Sequence, residues 1–365
     1  MANDGILQRK YPDSKGETFN DVLFLPQYSE IESRKTVSTT TNLGKFSLDL
    51  PLISANMKDI TGPKMAATMA QQGGLGILHR FGYTGESLSD FQIARGLIEK
   101  CNDFIEGNGI TSSPKWMSPI YSVGVSIGVK AEDKCTFIML RNEGARLFCI
   151  DVAHGHHILV KQMIQYIRDN DKVGDICIIA GNVATVEGAI DLKNWGADIV
   201  KTGIGPGSRC ETRKNTGVGV PQLKAIREIR MACPDLPIIS DGGIKYCGDI
   251  PKALKYANAV MVGSFIAGTS ETPGNVYQND REEFYKVYGG SASGERKVEN
   301  GKEHSFIEGM VKEVPFRGKV KFILRKAKNC IQSSLSYSGC KDLTTFRDKA
   351  ILVDIGSGAK NESKL

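Results

Sequence analysis

The sequence predicts an α/β fold, a (β/α)8 TIM barrel, from three observations. Eight short apolar runs recur along the chain, helix-length segments separate them, and polar or glycine residues gather at their C-terminal ends. Runs that are apolar almost throughout are those of strands covered on both faces, as in parallel sheets. Eight strand–helix units match a closed barrel of roughly 250 residues. An open doubly wound sheet is the alternative, and the near-regular repeat favours closure.

The strands are read at Pro51–Met57, Gly74–Arg80, Ser122–Gly128, Leu147–Ala153, Ile176–Val183, Ala197–Gly203, Leu236–Gly242 and Ala259–Phe265. Between them Gly62–Gln72, His157–Arg168, Thr185–Trp195, Pro221–Met231 and Gly248–Tyr256 carry apolar residues at helical spacing. A glycine just before the next strand, as in Asn194-Trp195-Gly196-Ala197-Asp198, marks a helix end. The stretch from Phe81 to Tyr121 has room for one helix plus a loop. Residues 1 to about 50 form an N-terminal extension, and the barrel occupies about 50–270. A polar, glycine-bearing segment follows at about 275–310, and such an insertion beside a barrel mouth reads as a mobile flap. Residues 1–365 then need only one domain.

Composition narrows the class. Apolar residues at 41% and charged residues at 24% are ordinary for a soluble globular protein. A net charge of +6, with basic residues scattered, suits small anionic ligands better than nucleic acid. Nine cysteines, an odd number without a Cys-x-x-Cys pair, indicate neither a disulfide framework nor a zinc site. Cys149 and Cys177 lie within apolar runs and read as small buried hydrophobes. No run is long enough to span a membrane and Met1-Ala2-Asn3-Asp4-Gly5 does not open a signal peptide, so the expected compartment is the cytoplasm.

The chemistry concentrates in Gly203-Ile204-Gly205-Pro206-Gly207-Ser208-Arg209-Cys210-Glu211-Thr212-Arg213. Glycines let backbone N–H groups approach an anion closely. A cysteine at the end of such a loop is placed where a planar substrate can meet its sulfur. The thiolate is the attacking form, and positive charge such as that of Arg209 and Arg213 favours it. Thr212 can pass a proton only with a stronger acid–base partner, for which Glu308 in Ile307-Glu308-Gly309 is the candidate. The bland readings are a structural cysteine and a solvated glutamate. Ser240-Asp241-Gly242-Gly243 reads as a ribose-hydroxyl acceptor beside phosphate donors, or equally as an aspartate capping the next helix. Gly263-Ser264 ends the last strand, where barrels often hold phosphate. His154 and His156 suggest a metal, but no carboxylate stands at ligand spacing.

Taken together, the Cys210 loop, Thr216-Gly217-Val218-Gly219-Val220-Pro221-Gln222, the Ser240–Gly243 motif and Phe19-Asn20-Asp21-Val22-Leu23 resemble the inosine monophosphate dehydrogenase/guanosine monophosphate reductase family, over about residues 17–355. The family's fold is the barrel already inferred. The resemblance implies a covalent thioimidate between Cys210 and C2 of a purine nucleotide, with hydride exchanged between that carbon and a nicotinamide cofactor. The dehydrogenase branch uses a flap arginine–tyrosine pair, absent from Ser293-Gly294-Glu295-Arg296-Lys297-Val298-Glu299-Asn300, and often a CBS module for which there is no room. The reductase branch is similar at Thr212–Gly217, at Glu308-Gly309 and Glu313–Gly318, and at Ser333–Gly339. It implies NADPH-dependent reductive deamination of GMP to IMP and ammonia. The alternatives are NAD-dependent oxidation of IMP to XMP and a non-catalytic nucleotide-binding barrel.

By the same resemblance Cys210 attacks C2, and Thr212 with Glu308 protonates the departing amine. Ser208, Gly242, Gly243, Gly263, Ser264 and Tyr288 would hold the phosphate end, Asp241 the ribose, and Gly290 and Ser291 the base. Asp151, Val152, Ala153, Ile204 and Gly205 would meet the nicotinamide, with Ser33, Arg34, Arg80, Ser333, Ser334, Leu335 and Ser336 along the rest of the cofactor. Gly205, Gly207 and Cys210 carbonyls, with Arg213, resemble a potassium site, and a homotetramer is implied. Three residues depart from the family pattern. Glu211 replaces a small hydroxyl residue, Gly290 stands where reductases often have methionine, and Ser305 where an arginine often touches the base. GMP, dGMP and modified guanine nucleotides thus stay open as substrates.

Overall fold

The computed structural model describes residues 16–81, 84–107, 121–289 and 311–362. Gly290, Ser291, Ser305 and Glu308 lie outside the described residues. Eight parallel strands close into a barrel in chain order. They are β1 (Leu52–Ser54), β2 (Leu75–Leu78), β3 (Val123–Ile127), β4 (Leu147–Asp151), β5 (Cys177–Val183), β6 (Ile199–Thr202), β7 (Ile238–Asp241) and β8 (Ala259–Val262). Closure runs through the pairing of Val262 with Ser54. Each strand sits within its expected run or matches it to one residue. The runs overshoot because their last residues leave the ladder and turn into the mouth.

The helices α1 (Pro63–Gln71), α4 (Ile158–Asn170), α5 (Val186–Trp195), α7 (Gln222–Ala232) and α8 (Asp249–Leu254) form where expected, and α2 (Thr84–Gly107) occupies the long stretch after β2. Not expected were α3 (Ala131–Asn142), α9 (Val320–Tyr337) and α10 (Leu343–Lys349). In α3 only Phe137 and Leu140 are fully buried, too thin a stripe for periodicity to reveal, and Asp133 caps it by accepting from the Lys130 and Gly128 amides. The eighth barrel helix is α9, which buries Val320, Leu324, Ala327, Ile331 and Leu335 at helical spacing.

The N-terminal extension staples the barrel. Thr18 and Asp21 form a capping box, Lys252 Nζ donates to the Phe19 carbonyl at 2.7 Å, and Val22–Phe24 pairs antiparallel with Leu352–Asp354. The described root of the expected flap forms strands, β9 (Tyr277–Gln278) and β10 (Phe284–Gly289), which join β11 (Val311–Pro315) just beyond it in an antiparallel sheet. The aromatic and β-branched residues of Phe284-Tyr285-Lys286-Val287-Tyr288 favour strand over loop. Lys286 is buried there and donates to the Thr269 and Thr272 carbonyls. Among the described residues no helix is long and apolar enough to cross a membrane.

One glycine sets how closely α1 lies on the barrel. A Cβ on Gly76 of β2 would stand 2.3 Å from the Ala66 Cα. Gly76→Ala is therefore expected to destabilise the fold by about 1–3 kcal/mol through overpacking, read as a lower denaturant midpoint at unchanged slope.

Candidate active site

The mouth of the barrel is assembled from strand-end turns that touch one another. After β6 the chain enters the Cys210 loop at Gly203, where φ is +152° and a Cβ would lie 2.1 Å from the Asp241 carbonyl oxygen. The β6 and β7 ends can meet there only through a glycine. Gly242, with φ +91°, closes from the other side, where an added Cβ would stand 3.1 Å from the Gly207 amide nitrogen. At the end of β8, a Cβ on Gly263 would come within 3.0 Å of the Tyr288 hydroxyl. Ser208 hydrogen-bonds the Tyr288 side chain, whose burial pushes its phenol up to about 12. Tyr288 is thus a neutral hydroxyl at neutral pH. Ser208, Gly242, Gly263 and Tyr288, expected to bind one ligand, are brought together. Gly243 and Ser264 continue the two turns in sequence.

Cys210 is half-buried, and its Sγ lies 3.0 Å from the Thr212 Oγ1. Thr212 begins the short helix α6 (Thr212–Thr216), which fixes this spacing. Glu211, the departure beside the thiol, has its carboxylate 3.8 Å from Lys214 Nζ. Cys149 is the contrast: it is fully buried, and burial pushes its thiol up to about 12. Arg213 folds back over Gly205 and Gly219 and donates to the Val220 carbonyl. The Gly207 carbonyl accepts from the Cys210 amide at 3.0 Å.

Below these turns lies a group that sequence reasoning missed. Lys201 of β6 is 2% exposed, and its ammonium lies 3.0 Å from both Asp151 and Asp241. It also donates to Asn182 Oδ1, while Asn182 Nδ2 donates to the Gly203 carbonyl and to Asp241. Asn182 sits where the β5–β6 register shifts between Gly181 and Val183, and such a bulge re-aims a side chain. Burial opposes the charge on Lys201, but Asp151 and Asp241 outweigh it and hold the ammonium above its ordinary range. Burial likewise opposes ionised Asp151, and Lys201 and Arg80 overcome it, leaving the carboxyl below its ordinary range. The available signal was a lysine inside the apolar run Ile199-Val200-Lys201-Thr202.

The expected cofactor residues fall into two groups. At the mouth, Arg80 Nε donates to the Asp151 carbonyl at 3.0 Å, and the Asn182 amide donates to the Val152 carbonyl at 2.9 Å. Ala153 is exposed beside them, and Ile204 and Gly205 are partly exposed. Elsewhere Arg34 Nη1 donates to Ser333 Oγ at 2.8 Å, joining the extension to α9, and Ser33 caps the turn that carries Arg34. Ser334 and Ser336 are half-buried on the same helix, but the Leu335 side chain is fully buried in the core. Helical geometry turns it away from its serine neighbours, so its side chain serves packing.

Replacing Lys201 by methionine strands two carboxylates inside the barrel mouth, and breaking such a buried pair costs about 3–5 kcal/mol. The depressed Asp151 pKa means its contribution is present above about pH 4 and is lost as pH falls further. The raised Lys201 pKa means its own contribution is complete below about pH 10. Denaturation curves should therefore show a constant gap between wild type and Lys201→Met at neutral pH, narrowing in acid.

A family model described as IMP dehydrogenase / GMP reductase domain matches residues 16–365. A GMP reductase of Acidovorax sp. (strain JS42) is 37% identical over 334 residues, covering 90% of this chain and 93% of that protein. A GMP reductase of Streptococcus agalactiae serotype Ia is 36% identical over 332 residues, covering 90% and 92%. The fold superposes with a TM-score of 0.86 on a cysteine-to-alanine variant of GMP reductase from Trypanosoma brucei in complex with guanosine 5'-monophosphate. That structure is 26% identical and the match covers 97% of this chain and 98% of that one.

Proposed function

This chain belongs to the IMP dehydrogenase/GMP reductase family, and from that premise we propose that it is a GMP reductase, converting GMP and NADPH to IMP, ammonia and NADP. The observation that carries the chemistry is the 3.0 Å contact between Cys210 Sγ and Thr212 Oγ1 at the meeting point of the glycine turns.

Cys210 attacks C2 as the thiolate. The 2-amino group must leave as ammonia, because an amide anion is a very poor leaving group. Thr212, already on the sulfur, hands over the proton, with Glu308 as its acid–base partner. A positioned acid of this kind contributes typically ~10²–10⁴-fold. The nicotinamide, when bound, supplies the hydride that C2 receives, after which the carbon–sulfur bond breaks and the thiolate returns. Ser208, the Gly242-Gly243 turn, Gly263-Ser264 and Tyr288 would bind the phosphate, and Gly290 and Ser291 the base. Asp241 would accept from the ribose, its side chain fixed in place by the ammonium of Lys201 3.0 Å away.

The residues present fit a nicotinamide cofactor at the Arg80–Asp151 edge, and Arg34 with the serines of α9 supplies polar partners for its remainder. A potassium ion suits the hard carbonyl oxygens of Gly205, Gly207 and Cys210. Arg213 would complete that site, its side chain packing on Gly205 and shaping the loop. Assembly as a homotetramer and a place in the cytoplasm rest on the family and belong to the same proposal.

Purified protein given GMP and NADPH should lose reduced-nicotinamide absorbance and release ammonia in equal amounts. Turnover of IMP with NAD to XMP, without the first reaction, would overturn the assignment. Running dGMP beside GMP identifies the preferred sugar. Cys210→Ala should reduce turnover by roughly 10³-fold or more while GMP binding, measured by calorimetry, changes little. Glu308→Gln should slow ammonia release by about 10²–10⁴-fold with GMP affinity kept, and equal losses in both would make Glu308 a binding residue.

A further inference from the structure

The proposed reaction gives Arg209 no step of its own, yet its position is specific. It immediately precedes Cys210, and its Cζ lies 5.0 Å from the centroid of the Tyr288 ring. Tyr288 is 4% exposed, and its hydroxyl end meets Ser208 and the close approach of Gly263. The guanidinium is thereby laid on a ring whose polar end points into two of the turns assigned to phosphate. Arg209 Nε is buried and, among the described residues, has no hydrogen-bond partner. A buried N–H of a cation without an acceptor is costly and is relieved when an anion arrives. Glu211, the neighbouring acid in sequence, is turned toward Lys214.

We propose that Arg209 is a further substrate-binding residue, donating to the phosphate of the nucleotide while stacked on Tyr288, and that it makes this enzyme select a nucleoside monophosphate over the free nucleoside. The inference rests on the phosphate placement of the proposed function and adds a full positive charge to a site otherwise made of hydroxyls and backbone amides. A guanidinium fork matches phosphate oxygens in pairs, and stacking on an aromatic face removes much of its rotational freedom before the ligand binds. The same cation stands one residue from Cys210, so the phosphate contact and the sulfur belong to one loop.

The test compares wild type, Arg209→Met and Arg209→Lys, using steady-state turnover of GMP and calorimetric binding of GMP, guanosine and inorganic phosphate. Loss of a charge-assisted hydrogen bond corresponds to about 10–100-fold. Arg209→Met should raise KM and Kd for GMP by that factor and weaken inorganic phosphate. Guanosine binding should stay within about twofold and kcat within about threefold, and lysine should restore part of the loss. Equal weakening of GMP and guanosine would make Arg209 a mere prop for Tyr288 and overturn the proposal. So would a fall in kcat at unchanged KM, which would place the arginine at the sulfur. If the methionine variant fails to fold, the lysine variant decides by the same GMP-to-guanosine ratio. Binding contrasts are read without turnover, so a wild type that binds GMP but does not reduce it would refute the reaction and leave the Arg209 assignment standing or falling on its own.

Discussion

A single ammonium inside the barrel mouth constrains the rest of the site. Lys201 projects from β6 and gathers Asp151 from the end of β4, Asn182 from β5 and Asp241 from β7. Removing any of these charges from water is expensive, and only their mutual attraction and hydrogen bonds offset the expense. The cluster therefore exists as a unit or not at all. It fixes the tops of four consecutive strands relative to one another. Everything downstream of those strand ends inherits its position from this contact, including the Cys210 loop, which starts two residues after Lys201.

The loops then transmit that position to the reacting atoms. Gly203 and Gly242 lack side chains where the β6 and β7 turns cross, so the two turns approach to backbone distance. Lys201 and Asn182 together hold the Asp241 carboxylate at the end of β7. Cys210 lies at the end of the loop after β6, and the helix α6 begins at Thr212, which lets Thr212 stand beside the sulfur. Strand ends thus position Asp241, and a helical start positions Thr212 beside Cys210.

How much of this was legible depends on which force shaped each part. Parallel strands buried on both faces must be apolar throughout, so the eight runs announced the barrel. The glycine turns were visible because close backbone approach excludes side chains. Helix α3 was missed because it buries too little to show a stripe. The sheet at the root of the flap was missed because polar residues on both sides hid Phe284–Tyr288. Lys201 was missed for a deeper reason: a lysine in an apolar strand makes sense only once Asp151 and Asp241, 50 and 40 residues away, face it. Long-range electrostatics leave no local pattern.

The root of the flap is clamped to the barrel at two points. Lys286 grips the loop after β8 through the Thr269 and Thr272 carbonyls, and the Gly289 amide donates to Asp59 in the loop after β1 at 2.8 Å. Tyr288 lies between these two clamps, so its hydroxyl is set against Gly263 by the frame. Preorganisation of this kind removes the ordering cost from the binding step. The corner of the mouth where Tyr288 meets Gly263 is thus built on strands and strand ends.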